Sequence, residues 1–186
     1  IVASIRSRAA ALRAVPAVPE APRCGSLSGW GVAMIADRAL ERGGADVESL
    51  PTGEPREFRW TDIPAAVHAE AEAFPYDPWS AETFWSELAQ VPTSALYLAA
   101  VSDDRLAAYG GMTFIDTDAH LQTLAVIPSS RGKGMGRRLL TSLLAEAQRR
   151  AMRRCLLEVK PDNRSAIALY RSMGFTELGT RPGYFP

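Results

Sequence analysis

Residues 131–140 read RGKGMGRRLL: glycines at 132, 134 and 136, followed at once by an apolar helical pattern and preceded by the apolar run LQTLAVIP. This succession of strand, glycine-rich turn and helix constrains the fold more than any other feature of the chain. Glycines without Cβ atoms let backbone N–H groups come close to an anion, and the helix that follows aims its positive dipole end at the same place. Arg131 and Lys133 in the loop, with Arg137 and Arg138 in the first helical turn, add local positive charge. The expected ligand is a phosphate or pyrophosphate held by Arg131, Gly132, Lys133, Gly134, Met135, Gly136 and Arg137. A P-loop needs Ser or Thr after the lysine, where Gly134 stands, and a dinucleotide fingerprint needs a different glycine spacing in a first βαβ unit. A tight turn without a ligand is the alternative.

Charge favours a small anionic ligand over a polymer. The chain has 186 residues with 21 basic and 21 acidic side chains, so no bulk field draws it to nucleic acid or an acidic membrane. Neither a nucleic-acid partner nor a membrane association is expected, since no apolar run of about 18 residues occurs. Two distant cysteines, Cys24 and Cys155, match no metal or redox spacing, and His68 and His120 stand in no catalytic motif. No metal site is therefore expected, and a reducing cytoplasmic location is the simplest reading. Cys155, inside the run CLLEV, reads as a small core residue.

Residues 1–55 are rich in Ala, Pro, Gly and Arg without a sustained period, and begin on Ile1 with Met34 as the first methionine. They are expected to form an extension or linker outside a domain spanning 56–186. Their opening, with arginines and no acid before Glu20, superficially resembles a transit peptide, but prolines interrupt it. From 56 onward the sequence predicts a short strand at 56–60, a helix capped by Thr61 or Asp62 and running to Ala73, and a second helix beginning at Ser80. Three antiparallel strands follow in ALYLAAV, LAAYGGMTFID and HLQTLAVIP. Leu139, Leu140, Leu143, Leu144 and Ala147 share one face of the helix after the glycine loop. A strand RCLLEV, a helix capped by Asn163 and stopped by Gly174, and a last strand from Phe175 complete the pattern. The expected fold class is α/β (α+β), a mixed and mostly antiparallel sheet flanked by helices.

The stretch LAVIPSSRGKGMGRRLL resembles the acyl-CoA signature of the GNAT superfamily of N-acetyltransferases, with Arg131, Gly134 and Gly136 at its fixed positions. LLEVKPDNRSAIALYRSMGF is similar to the RimI branch of that superfamily, whose members acetylate the N-terminal alanine of a small-subunit ribosomal protein, and AEAFPYDPWSAETF resembles its helix junction with Tyr76, Asp77 and Pro78 inserted. The resemblance covers about residues 56–185. It implies a GNAT fold with splayed strands at an acetyl-CoA site and a protein N-terminus as acceptor. A lysine side chain or small amine as acceptor, or a silent acyl-CoA binding module, are the alternatives; a monomer is favoured.

Acetyl transfer needs a neutral amine, a polarised carbonyl and stabilisation of the departing thiolate. An α-amino group, with a reference pKa of about 7.7 to 8.0, is an easier target than lysine at about 10.4. Glu158, at the end of CLLEV, is the candidate base, expected partly desolvated at the edge of the sheet, with a surface glutamate as the plain alternative. Tyr170 matches the family's acid, where core packing is the alternative. The resemblance further implies that Leu124, Ala125 and Val126 present backbone groups to the cofactor, that Asn163 contacts its pantetheine arm besides capping a helix, and that Phe74, Tyr76, Trp79 and Tyr184 flank the acceptor peptide. RimI-like chains continue beyond the aromatic pair near Tyr184 into one more strand, which implies an incomplete wall to the peptide groove here.

Overall fold

The structure, a computed structural model, describes residues 2–4, 31–36, 54–73 and 78–181. Its strands are β1 (Val2–Ser4), β2 (Gly31–Ala36), β3 (Arg56–Glu57), β4 (Ala95–Ser102), β5 (Arg105–Ile115), β6 (Asp118–Val126), β7 (Arg154–Val159) and β8 (Thr176–Arg181). The helices are α1 (Ile63–Ala73), α2 (Ala81–Leu88), α3 (Met135–Arg149) and α4 (Arg164–Ser172). The strands form one mixed sheet in the order β3-β4-β5-β6-β7-β2-β8, with β1 added to β6; only β6 and β7 run parallel.

The meander β4-β5-β6 follows from alternating runs joined by tight turns. Asp103, Asp104 and Asp116 take left-handed backbone there, which short polar side chains tolerate best. The helix α3 lies on one face through Leu139, Leu140, Leu143, Leu144 and Ala147, all buried with Leu124, Val126, Met112 and the inward residues of β7. Truncating any one of these leucines to alanine costs about 2 to 5 kcal/mol. The opposite face carries an aromatic cluster under α1 and α2: Phe58, Trp79, Phe84, Tyr97 and Tyr109. Phe84 meets Phe58 at 5.7 Å, Trp79 at 5.3 Å and Tyr109 at 5.7 Å between ring centroids.

Local signals place most ends correctly. Ser80 caps α2 by accepting from the Thr83 N–H, and Asn163 caps α4 by accepting from the Ala166 N–H. The first strand is shorter than expected, two residues rather than five, because the chain turns into a 3-10 segment at Trp60–Asp62 before α1. Asp62 closes that turn, accepting from the Arg59 N–H at 2.8 Å and from both terminal nitrogens of Arg56 at 2.8 Å.

Two findings differ from the sequence reading of residues 1–55. Gly31–Ala36 is an interior strand, inserted antiparallel between β7 and β8, so the sheet draws on residues well before position 56. The sheet thus runs from β7 to β8 without a gap. Consequently β7 is an interior strand, and Glu158, paired with Ala33 on one side and facing the parting from β6 on the other, does not lie at the outer edge of the sheet.

Candidate active site

The glycine loop is open. Gly132 and Gly134 both adopt φ of +76°, a left-handed backbone that costs other residues about 1 to 2 kcal/mol. A Cβ built on either meets no atom within 4 Å. Backbone conformation therefore selects glycine here, and the space beyond the loop is free for a ligand. Gly134 is the N-cap of α3, and its carbonyl accepts from the Arg138 N–H at 3.1 Å. Between this loop and α4 lies a cleft of about 350 Å³ lined by Val126, Ser130, Arg131, the loop glycines, Met135, Arg137 and the α4 residues Ser165, Ala168, Leu169 and Ser172. Arg131 is steered by donation from Nε to the Val126 carbonyl at 3.2 Å, and Arg137 spans to α4 through Ser172 Oγ at 2.7 Å. Lys133 is exposed in the loop.

Next to this cleft two parallel strands part. The strands β6 and β7 pair only through Asp118–Arg154, Ala119–Cys155 and His120–Leu156; beyond that point Leu121–Val126 and Leu157–Val159 diverge. The backbone edge of β6 freed in this way is the one expected to serve the cofactor. Its segment Thr123–Ala125 is paired with Val2–Ser4 of β1, a strand the sequence reading did not anticipate.

Glu158 and Tyr170 stand on either side of the parting. Cys155, Leu157 and Val159 of β7 pack into the core that also holds Tyr170, so strand alternation turns the half-buried Glu158 to the other face. Tyr170 is fully buried against Phe175, at 5.7 Å between rings, and its hydroxyl has no hydrogen-bond partner among the described residues. Burial, with a smaller contribution from nearby Cys155, drives the phenol far above its usual range, so it remains an O–H donor. The Thr123 hydroxyl on β6 is likewise buried without a partner. Burial pushes the Cys155 thiol up to about 12, which keeps it protonated and inert as a nucleophile.

Other expected site residues fall into four groups. Leu124, Ala125 and Val126 are buried, with Leu124 and Val126 under α3 and Ala125 in the aromatic cluster. Asn163 is spent at least partly on its cap, its Oδ1 accepting from Ala166 N and Ser165 Oγ at 3.1 Å each. Trp79 is a core residue, 7% exposed and packed on Phe84 and Tyr97, and its side chain does not offer an acceptor surface. Phe74, Tyr76 and Tyr184 lie outside the described residues.

Sequence reasoning missed the α4 side of the cleft. Its signal was present: Ser165, Ala168 and Ser172 recur at helical spacing as a face of small residues, which lets a ligand approach a helix closely. It also missed Glu70. That carboxylate is fully buried, accepting from the Tyr109 hydroxyl at 2.5 Å and from the Trp79 N–H at 3.2 Å, and so pins α1 to the chain leading into α2.

The profile of the Acetyltransferase (GNAT) family matches residues 63–175, more than half of the chain. Among curated proteins, the [ribosomal protein bS18]-alanine N-acetyltransferase of Salmonella typhimurium is 38% identical over 126 residues, covering 68% of this chain and 82% of its own. An uncharacterised protein of Mycobacterium leprae is 41% identical over 130 residues, but the chain spans only 35% of its length. Among solved structures, the ribosomal-protein-S18-alanine N-acetyltransferase of Escherichia coli aligns with a TM-score of 0.59 and 34% identity, over 66% of this chain and 76% of that one.

Proposed function

We propose that this chain, which belongs to the GNAT acetyltransferase family and is an acetyl-CoA-dependent N-acetyltransferase, takes as its acceptor the α-amine at a protein's N-terminus. The relatives named as bS18-alanine N-acetyltransferases support a small-subunit ribosomal protein as that acceptor, and a cytoplasmic place of action with it. The observation that carries the reading is the parting of β6 and β7, with a carboxylate at its margin on one face and a buried, partnerless phenol on the other.

The residues present fit coenzyme A. The loop at 131–137 offers an open anion cradle beside a helix N-terminus, and the buried Tyr170 hydroxyl supplies a donor that no other described residue uses. In this assignment the amides from Gly132 to Gly136, with Arg131 and Arg137, hold the diphosphate, and the edge at Leu124–Val126, once β1 is displaced from Thr123–Ala125, holds the arm that leads to the thioester. When bound, acetyl-CoA supplies an acyl group already activated toward amines.

The chain's own residues then have three tasks. Glu158 takes the proton that the α-ammonium must lose before its nitrogen can attack, directly or through one water. Backbone groups of β6 orient the acyl carbonyl at the gap. Tyr170 donates its O–H toward the departing sulfur. Complete transfer of that proton to a thiolate with a free value of about 8.5 is uphill for so basic a phenol, so the hydroxyl stabilises charge mainly by hydrogen bonding. Burial keeps Cys155 a thiol and so speaks against it as an acyl carrier, which supports direct transfer between the two bound substrates.

Mass measurement of products from peptides with free Ala, Ser or Met N-termini, from the same peptides with blocked N-termini, and from lysine-bearing controls tests the assignment. Acetylation confined to the free α-amine, lost in Glu158→Gln, is expected. Acetylation of blocked peptides at lysine alone would reject it.

A further inference from the structure

Within β2, only Ala33 is incompletely buried; Gly31, Val32, Met34, Ile35 and Ala36 are all enclosed. The sheet register places Ala33 directly opposite Glu158 on one side and directly opposite Gly179 on the other. Cross-strand partners share a face of the sheet, so Glu158, Ala33 and Gly179 form one row, and all three are half-buried where their neighbours on β2 and β7 are mostly closed. A backbone irregularity between Ala33 and Met34 follows immediately, which sets this row apart from the regular ladder. Next to the carboxylate, then, the protein surface falls to a methyl group and a hydrogen.

We propose that Ala33, together with Gly179, forms the floor of the subsite for the acceptor's first side chain, so that an N-terminal strand lying outside the family match determines which N-terminal residue is accepted. The inference rests on Glu158 being the base. An α-amine delivered to Glu158 carries its Cα one bond away, and that carbon's substituents reach the neighbouring strand, about 4.7 to 4.9 Å across the sheet. On the β6 side of Glu158 lies the gap assigned to the cofactor's arm. The side toward β2 is what remains for the acceptor, and Ala33 is the first residue met there. A small floor leaves room for a side chain; a larger one would remove it without touching the glycine loop.

The 186-residue chain and its Ala33→Val and Ala33→Gly variants are assayed with acetyl-CoA and synthetic peptides identical except for a first residue of Gly, Ala, Ser or Leu. Valine keeps strand propensity, and thermal unfolding with acetyl-CoA titration verifies that each variant is folded and cofactor-competent. Ala33→Val is expected to raise KM for Ala- and Ser-first peptides about tenfold while Gly-first peptides and acetyl-CoA change less than about twofold, the scale set by a methylene or two in a pocket. Ala33→Gly is expected to raise kcat/KM for the Leu-first peptide about tenfold by the same measure. An unchanged order of preference in both folded variants overturns the inference alone. Absence of wild-type turnover on every free α-amine removes the parent assignment, and the inference falls with it.

Discussion

Replacing Tyr170 by phenylalanine removes one oxygen atom and separates a catalytic role from a packing role. The hydroxyl is fully buried with no hydrogen-bond partner, while the ring packs on Phe175 and shares the core with Leu157 and Leu169. A buried hydroxyl left unpaired costs about 1 to 3 kcal/mol on the scale of protein mutational data. Tyr170→Phe keeps the ring contacts and removes that cost, so the variant should be more stable by about 1 to 2 kcal/mol after allowance for slight repacking around the lost atom. In a chain of this length that corresponds to a melting temperature about 2 to 8 °C higher. Turnover should move the other way. If Tyr170 donates to the leaving sulfur as proposed, its loss is expected to lower kcat about 100-fold, with KM for acetyl-CoA within about twofold, since positioned proton donors contribute about 10² to 10⁴. Scanning calorimetry and steady-state kinetics on the same preparation measure both. A variant that melts lower has lost a hydrogen bond that the geometry denies, and one that melts higher with undiminished kcat shows that Tyr170 is a core residue only.

Three further outcomes are expected. Gly134→Val places a β-branched residue at φ +76° where no atom obstructs its Cβ, so the cost of about 1 to 2 kcal/mol is backbone strain that reshapes the loop. KM for acetyl-CoA should rise about tenfold with kcat at saturation nearly unchanged, and an unaltered KM would remove the loop from the cofactor site. His120 has its pKa lowered by burial, with Asp118 opposing and Arg154 assisting. Below about pH 6.5 the unfolded chain takes up a proton that the folded imidazole still refuses, so stability should fall from there downward until the lower folded value is reached. Urea midpoints between pH 7 and 5 should decline less in His120→Gln, and equal slopes would contradict the assignment. Removing the first four residues frees the β6 edge at Thr123–Ala125 from β1. If the cofactor's arm uses that edge, sparing the displacement of one or two backbone hydrogen bonds at about 1 kcal/mol each should tighten acetyl-CoA binding by about fivefold to thirtyfold in titration calorimetry; unchanged affinity would show that β1 does not compete.

The two halves of the site differ in how they are written in the chain. The cofactor half is nearly contiguous. Val126, the loop and the first turn of α3 fall within a dozen residues, and their function depends on local properties: glycine conformation, helix polarity and nearby arginines. Each leaves a mark in a short window, and the loop, α3 and the Asn163 cap were all legible. The acceptor half is assembled by sheet register. Ala33 meets Glu158 across 125 positions and Gly179 across 146, and no local pattern encodes either pairing. The strand GVAMIA is apolar on both faces because it is interior, so it lacks the alternation that marks a half-exposed strand. Without β2, β7 looks like an edge and Glu158 like a residue beside open solvent. Glu70 escaped notice for a related reason: nothing within AVHAEAEA marks it for burial, because its partners Tyr109 and Trp79 come from elsewhere in the chain. Residues that choose the acceptor can therefore change with any segment able to occupy the place between β7 and β8, while the loop that holds the cofactor stays as it is. Cofactor binding and acceptor choice are physically separable in this fold, which is why a substitution at Ala33 is expected to alter one and spare the other.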